Sequence, residues 1–160
     1  MDTEDLLRLL NAHNVEFVII EATAFPIHGY ARATLDIDIF IRPEPPNAAR
    51  MLDALRDFGY DIADITLEDL LTKKVLIRQY LVETDIHPFA AGITFEQVWE
   101  NRISGTYGNE KVYYASLDDL MIMKQAAGRP KDLEDLKILM ALKQKKKIWE
   151  YSPDLLTTIV

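Results

Sequence analysis

From Thr34 to Ile41 the chain reads Thr-Leu-Asp-Ile-Asp-Ile-Phe-Ile, so Leu35, Ile37, Ile39 and Ile41 fall on one side of an extended backbone and Asp36, Asp38 and Phe40 on the other. Strict alternation of this kind belongs to a β-strand. A strand with so long an aliphatic face has to bury it, which commits the chain to a sheet covered by helices. The two carboxylates then share the opposite face, roughly 6.6 Å apart along the strand.

The flanking segments supply the sheet and its cover. Asp2 or Thr3 caps a helix with Leu6, Leu7, Leu9 and Leu10 at helical spacing, ending near His13-Asn14, and Val15 to Ile20 reads as a buried strand. A short helix from Thr23 to His28, with Pro26 in its first turn and Gly29 at its end, leads to the acidic strand. Pro43 to Pro46 turns the chain into an amphipathic helix from Asn47 to Phe58, closed by Gly59. Thr66-x-x-Asp69 opens another short helix, Val75 to His87 is long and branched enough for a third strand, and Thr94-x-x-Gln97 caps the helix of Trp99. Gly108-Asn109 joins a hairpin of Ile103 to Tyr107 and Lys111 to Ala115. Ser116-x-x-Asp119 starts a helix that Gly128 interrupts, and Pro130 begins a last helix to about Lys146, with Leu133, Leu136, Leu139, Met140 and Leu142 expected in the core. The expected fold class is α+β, of α/β type: a mixed sheet flanked by helices. Residues 1–147 form a single domain whose C-terminal helical part spans about 116–147, followed by a tail from 148 to 160. The tail's Trp149, Tyr151, Leu155, Leu156, Ile159 and Val160 are expected to dock on this or another subunit, which would make a homo-oligomer.

Composition narrows the function classes. The absence of cysteine removes disulfides, thiolate metal sites and cysteine nucleophiles, and with no signal-peptide pattern and no apolar run long enough to cross a bilayer it places the expected protein in the cytoplasm, with no membrane partner. The net charge of −8 argues against indiscriminate coating of nucleic acid. Charge is unevenly spread: residues 124–147 hold eight Lys/Arg and three Asp/Glu. Lys143, Lys145, Lys146 and Lys147 either complement the negative end of the last helix or contact RNA or phosphate.

Two carboxylates on one strand face suit Mg²⁺ (or Mn²⁺), which can hold the attacking and leaving oxygens of phosphoryl transfer; the alternative is a half-exposed strand whose acids face water. A third oxygen ligand is available if the next strand lies alongside. Asp85 is the candidate, with Glu83 on its face; otherwise it opens a turn before Pro88. His28 either orders the loop at Gly29 or lines a site, and His87, beside Pro88, reads as structural.

The run Val18-Ile19-Ile20-Glu21-Ala22-Thr23, followed after Thr23 to Leu35 by Asp36-Ile37-Asp38, resembles the nucleotidyltransferase superfamily with the DNA polymerase β palm fold, and most closely its small bacterial minimal or AbiEii-like members. His28-Gly29-x-x-Arg32-x-Thr34 and Gly128-Arg129-Pro130-Lys131-Asp132-x-x-Asp135 carry the resemblance further, over about residues 6 to 142. It implies transfer of a nucleotidyl group from an NTP to an acceptor hydroxyl of protein, RNA such as tRNA, or a small molecule. Asp36, Asp38 and Asp85 would be the catalytic and metal-binding carboxylates, with Asp85 assisting deprotonation of the acceptor. Thr23, Arg32, Thr34 and Lys124 would bind nucleotide, and a toxin–antitoxin or phage-defence setting would supply a cognate partner protein. Glu21 and Ala22 stand where the family has Gly-Gly or Gly-Ser. A carboxylate there repels phosphate and a Cβ hinders backbone approach, which leaves two expectations: an enzyme whose Glu21 points away, or a catalytically silent relative that binds a partner or a nucleotide and regulates. Arg129 and Asp132 either clamp the last helix to the catalytic half or touch substrate.

Overall fold

A computed structural model describes residues 1–151. The acidic strand is β2 (Asp36–Ile41), interior to a six-stranded mixed sheet. Its neighbour β1 (Phe17–Ile20) runs antiparallel to it, with Ile20 opposite Asp38, and β4 (Glu83–His87) runs parallel on its other side. The edges are β3 (Val75–Ile77), antiparallel to β4, and the hairpin of β5 (Ile103–Tyr107) with β6 (Glu110–Tyr114), whose second strand lies parallel to β1. The spatial order is β3-β4-β2-β1-β6-β5, the mixed, helix-flanked α+β architecture that the alternation of strands and helices predicts.

The helices form where their end signals stand. Asp2 and Asp5 make a reciprocal capping box for α1 (Thr3–Ala12), as do Thr66 and Asp69 for α3 (Leu67–Thr72) and Thr94 and Gln97 for α4 (Phe95–Glu100). Helix α2 (Pro45–Phe58) begins earlier than the prolines suggest: Pro45 and Pro46 occupy its first turn, where their missing N–H groups leave no hydrogen bond unmade. Asn47, buried, then accepts from the Glu16 N–H and donates to the carbonyls of Glu16 and Arg42, fastening α2 to the ends of β1 and β2.

Besides the early start of α2 and the late start of β2, which leaves Leu35 83% exposed, three expectations are corrected. The segment Val75 to His87 is two antiparallel strands rather than one. Thirteen extended residues would reach roughly 43 Å, far beyond the neighbouring strands. Residues 78–82 instead turn, pinned by Gln79, which exchanges two hydrogen bonds with the Asp61 backbone, and by the Tyr80 hydroxyl, which donates to the Gly59 carbonyl. The helix expected from Thr23 is a 3-10 helix over Glu21–His28 that starts directly at the end of β1. Gly29 ends it at a φ of 97°, as expected of a left-handed cap.

The last correction concerns the C-terminal pair, α5 (Leu117–Ala127) and α6 (Pro130–Tyr151). Only Leu139 of the five apolar α6 residues is fully buried, whereas Leu133 and Met140 are exposed and Leu136 and Leu142 half-covered. The buried positions include Asp132 and Asp135. Because α6 runs on to Tyr151, the lysine cluster lies within the helix and not in its last turn. Lys143 pairs with Asp118 of α5 at 2.6 Å, and Lys146 approaches His28 Nδ1. The docking expected of the side chains from Trp149 to Val160 lies outside the described residues. No helix among those described is long and apolar enough to cross a membrane.

Register sorts the sheet into two faces. Ile19, Ile37, Ile39, Thr84, Ile86 and Tyr114 share one. The Tyr60 hydroxyl, following α2, bonds Thr84 on that face, so α2 covers it. Ile20, Asp36, Asp38, Glu83, Asp85 and His87 share the other, where Phe40 meets Phe95 of α4 edge to face.

Candidate functional site

The parallel register of β2 and β4 sets Asp38 directly opposite Asp85 and Asp36 opposite Glu83, so four carboxylates meet on one face at the same end of the sheet. Asp38 and Asp85 are buried, at 9% and 5% exposure, while Asp36 and Glu83 are half-buried. Asp38 Oδ1 is hydrogen-bonded to His87 Nε2 at 2.8 Å. Asp85 lies 2.7 Å from Arg78 Nη1 and 3.8 Å from Lys74 Nζ. Its contact with Arg78 is electrostatic rather than an aligned hydrogen bond, for Asp85 Oδ1 is buried and has no hydrogen-bond partner. A hydrogen bond with Asp36, followed by desolvation, holds the Glu83 carboxyl above the usual glutamate range.

A second group of charges faces this one from the helices. Lys124 of α5 is buried, and its ammonium lies 2.5 Å from Glu21 and 3.3 Å from both Asp132 and Asp135 of α6. Burial works against its charge, but the three carboxylates outweigh it and hold the ammonium pKa above the ordinary lysine value. Arg32 pairs with Asp135 at 2.6 Å. Arg129 clasps Asp132 through Nε at 2.6 Å and also donates its backbone N–H, which caps the start of α6. These charged hydrogen bonds from Arg129 exceed the cost of burial, and with Lys124 they lower the Asp132 carboxyl to about 2.

Glu21 joins the two groups. It has a φ of 61°, the left-handed region that glycine occupies freely and glutamate rarely adopts. The chain therefore keeps a glycine-like backbone at the end of β1 without a glycine. The carboxylate neither points away nor stands free: it lies on Lys124.

Two adjoining clefts open here. One, of about 380 Å³, is lined by Glu21, Arg32, Asp36, Asp38, Lys124 and Lys131 among others. The second, of about 400 Å³, shares Glu21, Asp36, Asp38, Arg129 and Lys131 and adds Asp85, His87, Lys74 and the exposed Phe89. The acid pair is thus common to two cation-lined compartments, the first reaching Arg32 and Lys124 and the second reaching Asp85 and Phe89.

Not every candidate residue comes to this place in the same way. Thr34 lines the first cleft, but its hydroxyl and that of Thr23 both donate to the Asp36 carbonyl, tying the approach segment to the start of β2. Thr23 and His28 line neither cleft. His28 is buried with Nε2 on the Ala115 carbonyl at 2.8 Å, which joins the 3-10 helix to β6; desolvation keeps its pKa low, with Lys146 acting in the same direction. Several residues at the site were not singled out for it in the sequence. His87, Arg78 and Lys74 reach the acids only because residues 78–82 turn, and Asp135 reaches Arg32 and Lys124 because α6 buries a polar face. A buried-face carboxylate three residues after Asp132 was the available signal.

The donor set can be tested against a metal ion. No group of three or more His, Asp or Glu side chains converges at metal-holding geometry among the described residues. Mg²⁺, however, needs only one or two protein carboxylates and completes its six oxygens from water and substrate phosphate. Asp36 and Asp38 fit an ion that arrives with its phosphates, with Asp85, ion-paired to Arg78, opposite Asp38.

A search of curated proteins found no match. A family described as "Nucleotidyltransferase of unknown function (DUF6036)" matches residues 2–145, spanning every strand of the sheet, both clefts and most of α6. The chain belongs to this nucleotidyltransferase family.

Proposed function

We propose that the protein is a Mg²⁺-dependent nucleotidyltransferase that moves a nucleotidyl group from an NTP to an acceptor hydroxyl. The reading rests on one observation above all: Asp36 and Asp38 line two adjoining cation-lined clefts, and Asp85, in register with Asp38, lines the second. Asp36 and Asp38 hold the metal, which when bound neutralises charge developing on the phosphate oxygens. Arg32, Arg129, Lys131 and Lys124 receive the triphosphate, and the second cleft receives the acceptor. The acceptor oxygen bonds to the α-phosphorus as the bond to the bridging oxygen breaks. Pyrophosphate leaves, and Asp85 takes the acceptor's proton. His87 fixes the Asp38 carboxylate, and Arg78 fixes that of Asp85.

The finer placement, among minimal or AbiEii-like bacterial proteins acting on a protein or RNA in a toxin–antitoxin or phage-defence system, is supported by the sequence resemblance around the acid pair and the Gly128–Asp135 segment. A second reading, a catalytically silent relative that regulates through a partner, is favoured by one contact: Lys124 is already surrounded by three carboxylates.

Calorimetric titration of each NTP with Mg²⁺ into wild-type protein and Asp36→Asn separates the two. The transferase reading expects metal-dependent binding that Asp36→Asn abolishes, together with transfer of label from an α-³²P NTP that Asp38→Asn lowers by at least about a hundredfold. A folded wild-type protein that gives no heat with any NTP supports the silent regulator.

A further inference from the structure

Within the buried charge network at the cleft, the acids are not equivalent. Asp132 is held by Lys124 and by Arg129, and Asp135 by Lys124 and by Arg32. Glu21 forms an ion pair with Lys124 alone among the described residues, and its side chain is 31% exposed where those of Asp132 and Asp135 are 2% and 6%. The Lys124 ammonium has three N–H groups and three carboxylates around it, and Phe25 lies beneath it at 5.6 Å. Two of its N–H groups are taken by hydrogen bonds to Glu21 and Asp132, while the 3.3 Å contact to Asp135 Oδ2 is electrostatic. The one partner that can be exchanged is the one at the cleft wall, because Asp132 and Asp135 are anchored by second cations and buried, whereas Glu21 opens onto both clefts.

We propose that Glu21 is a resident competitor for the phosphate chain: its carboxylate occupies the ammonium that the outer phosphates of a nucleotide would take, and it must be displaced for them to bind. The inference rests on the nucleotide-binding reading above and adds which part of the ligand the residue opposes. Asp36 and Asp38 line the same cleft as Lys124. A phosphate at the acid pair leaves Lys124 to the phosphates that follow it, so a nucleoside monophosphate has nothing to place there and does not meet the competition. A triphosphate does.

Binding of MgATP and of AMP with Mg²⁺ to wild type, Glu21→Gln and Glu21→Gly, all checked for folding by circular dichroism, tests this. Both variants are expected to bind MgATP about tenfold more tightly than wild type, about 1.4 kcal/mol, and AMP within about twofold of wild type. Equal gains for both nucleotides would reveal general repulsion and overturn the occupancy of Lys124, and so would no gain for MgATP. If wild type binds MgATP in an Asp36-dependent way and the variants do not improve on it, the competitor fails while the nucleotide site stands. If no form binds either nucleotide, both readings fall together.

Discussion

Glu21 carries two opposing demands, a backbone that wants glycine and a side chain that wants Lys124. They can be separated. Glu21→Gln and Glu21→Gly both discard the ion pair, but only the second relieves the left-handed strain, so the glycine variant is expected to be the more stable by about 1 kcal/mol in urea denaturation. Asp132 gives the corresponding test in pH. Its carboxyl is lowered from the ordinary 3.8 to about 2 in the folded protein. A depressed folded value means that its contribution is complete above about 4 and is lost as pH falls through about 2. Asp132→Asn is therefore expected to be the less stable at pH 7 and to lose part of the wild-type decline in stability between pH 4 and 2, seen in acid titration by circular dichroism. The Asp36-x-Asp38 pair was legible in the sequence because strand parity alone puts both acids on one face. His87 was not, because its bond to Asp38 depends on a register between strands that no local pattern encodes.

At the scale of elements, the capping boxes at Thr66 and Thr94 and the Gly108-Asn109 hairpin are legible because their signals are local. The β3–β4 turn has no Gly, Pro or Asn and is closed by side chains reaching to Gly59 and Asp61 from another element, so its sequence reads as uninterrupted strand. Helix α6 misled for a different reason. Its leucines suggested an apolar stripe, but the face turned to the rest of the fold carries Asp132, Asp135 and Leu139, since the surface it meets presents Lys124 and Arg32. Leu139→Ala is expected to cost about 2–5 kcal/mol, while Leu133→Ala, at an exposed position, should stay within about 0.5 kcal/mol; urea denaturation of the two variants measures the contrast.

Across the whole molecule, Lys124 is the cation between the sheet side, through Glu21, and α6, through Asp132 and Asp135. Lys124→Met keeps the bulk and deletes the charge, leaving carboxylates in a poorly solvated place. The expected loss is about 3–5 kcal/mol, and hydrogen exchange should speed up in α6 well before it does in β1 and β2. The same feature has a consequence for how the protein comes to be. Glu21 and Lys124 stand 103 residues apart in sequence, and Arg32 and Asp135 are equally distant, whereas β1 and β2 belong to one short stretch of chain. Closing loops of such length is entropically slow compared with pairing neighbours. During refolding the acid pair should find its strand partner early and wait for its countercharge, so the proposed nucleotide binding is expected to return with the last kinetic phase and to serve as a reporter of completed assembly.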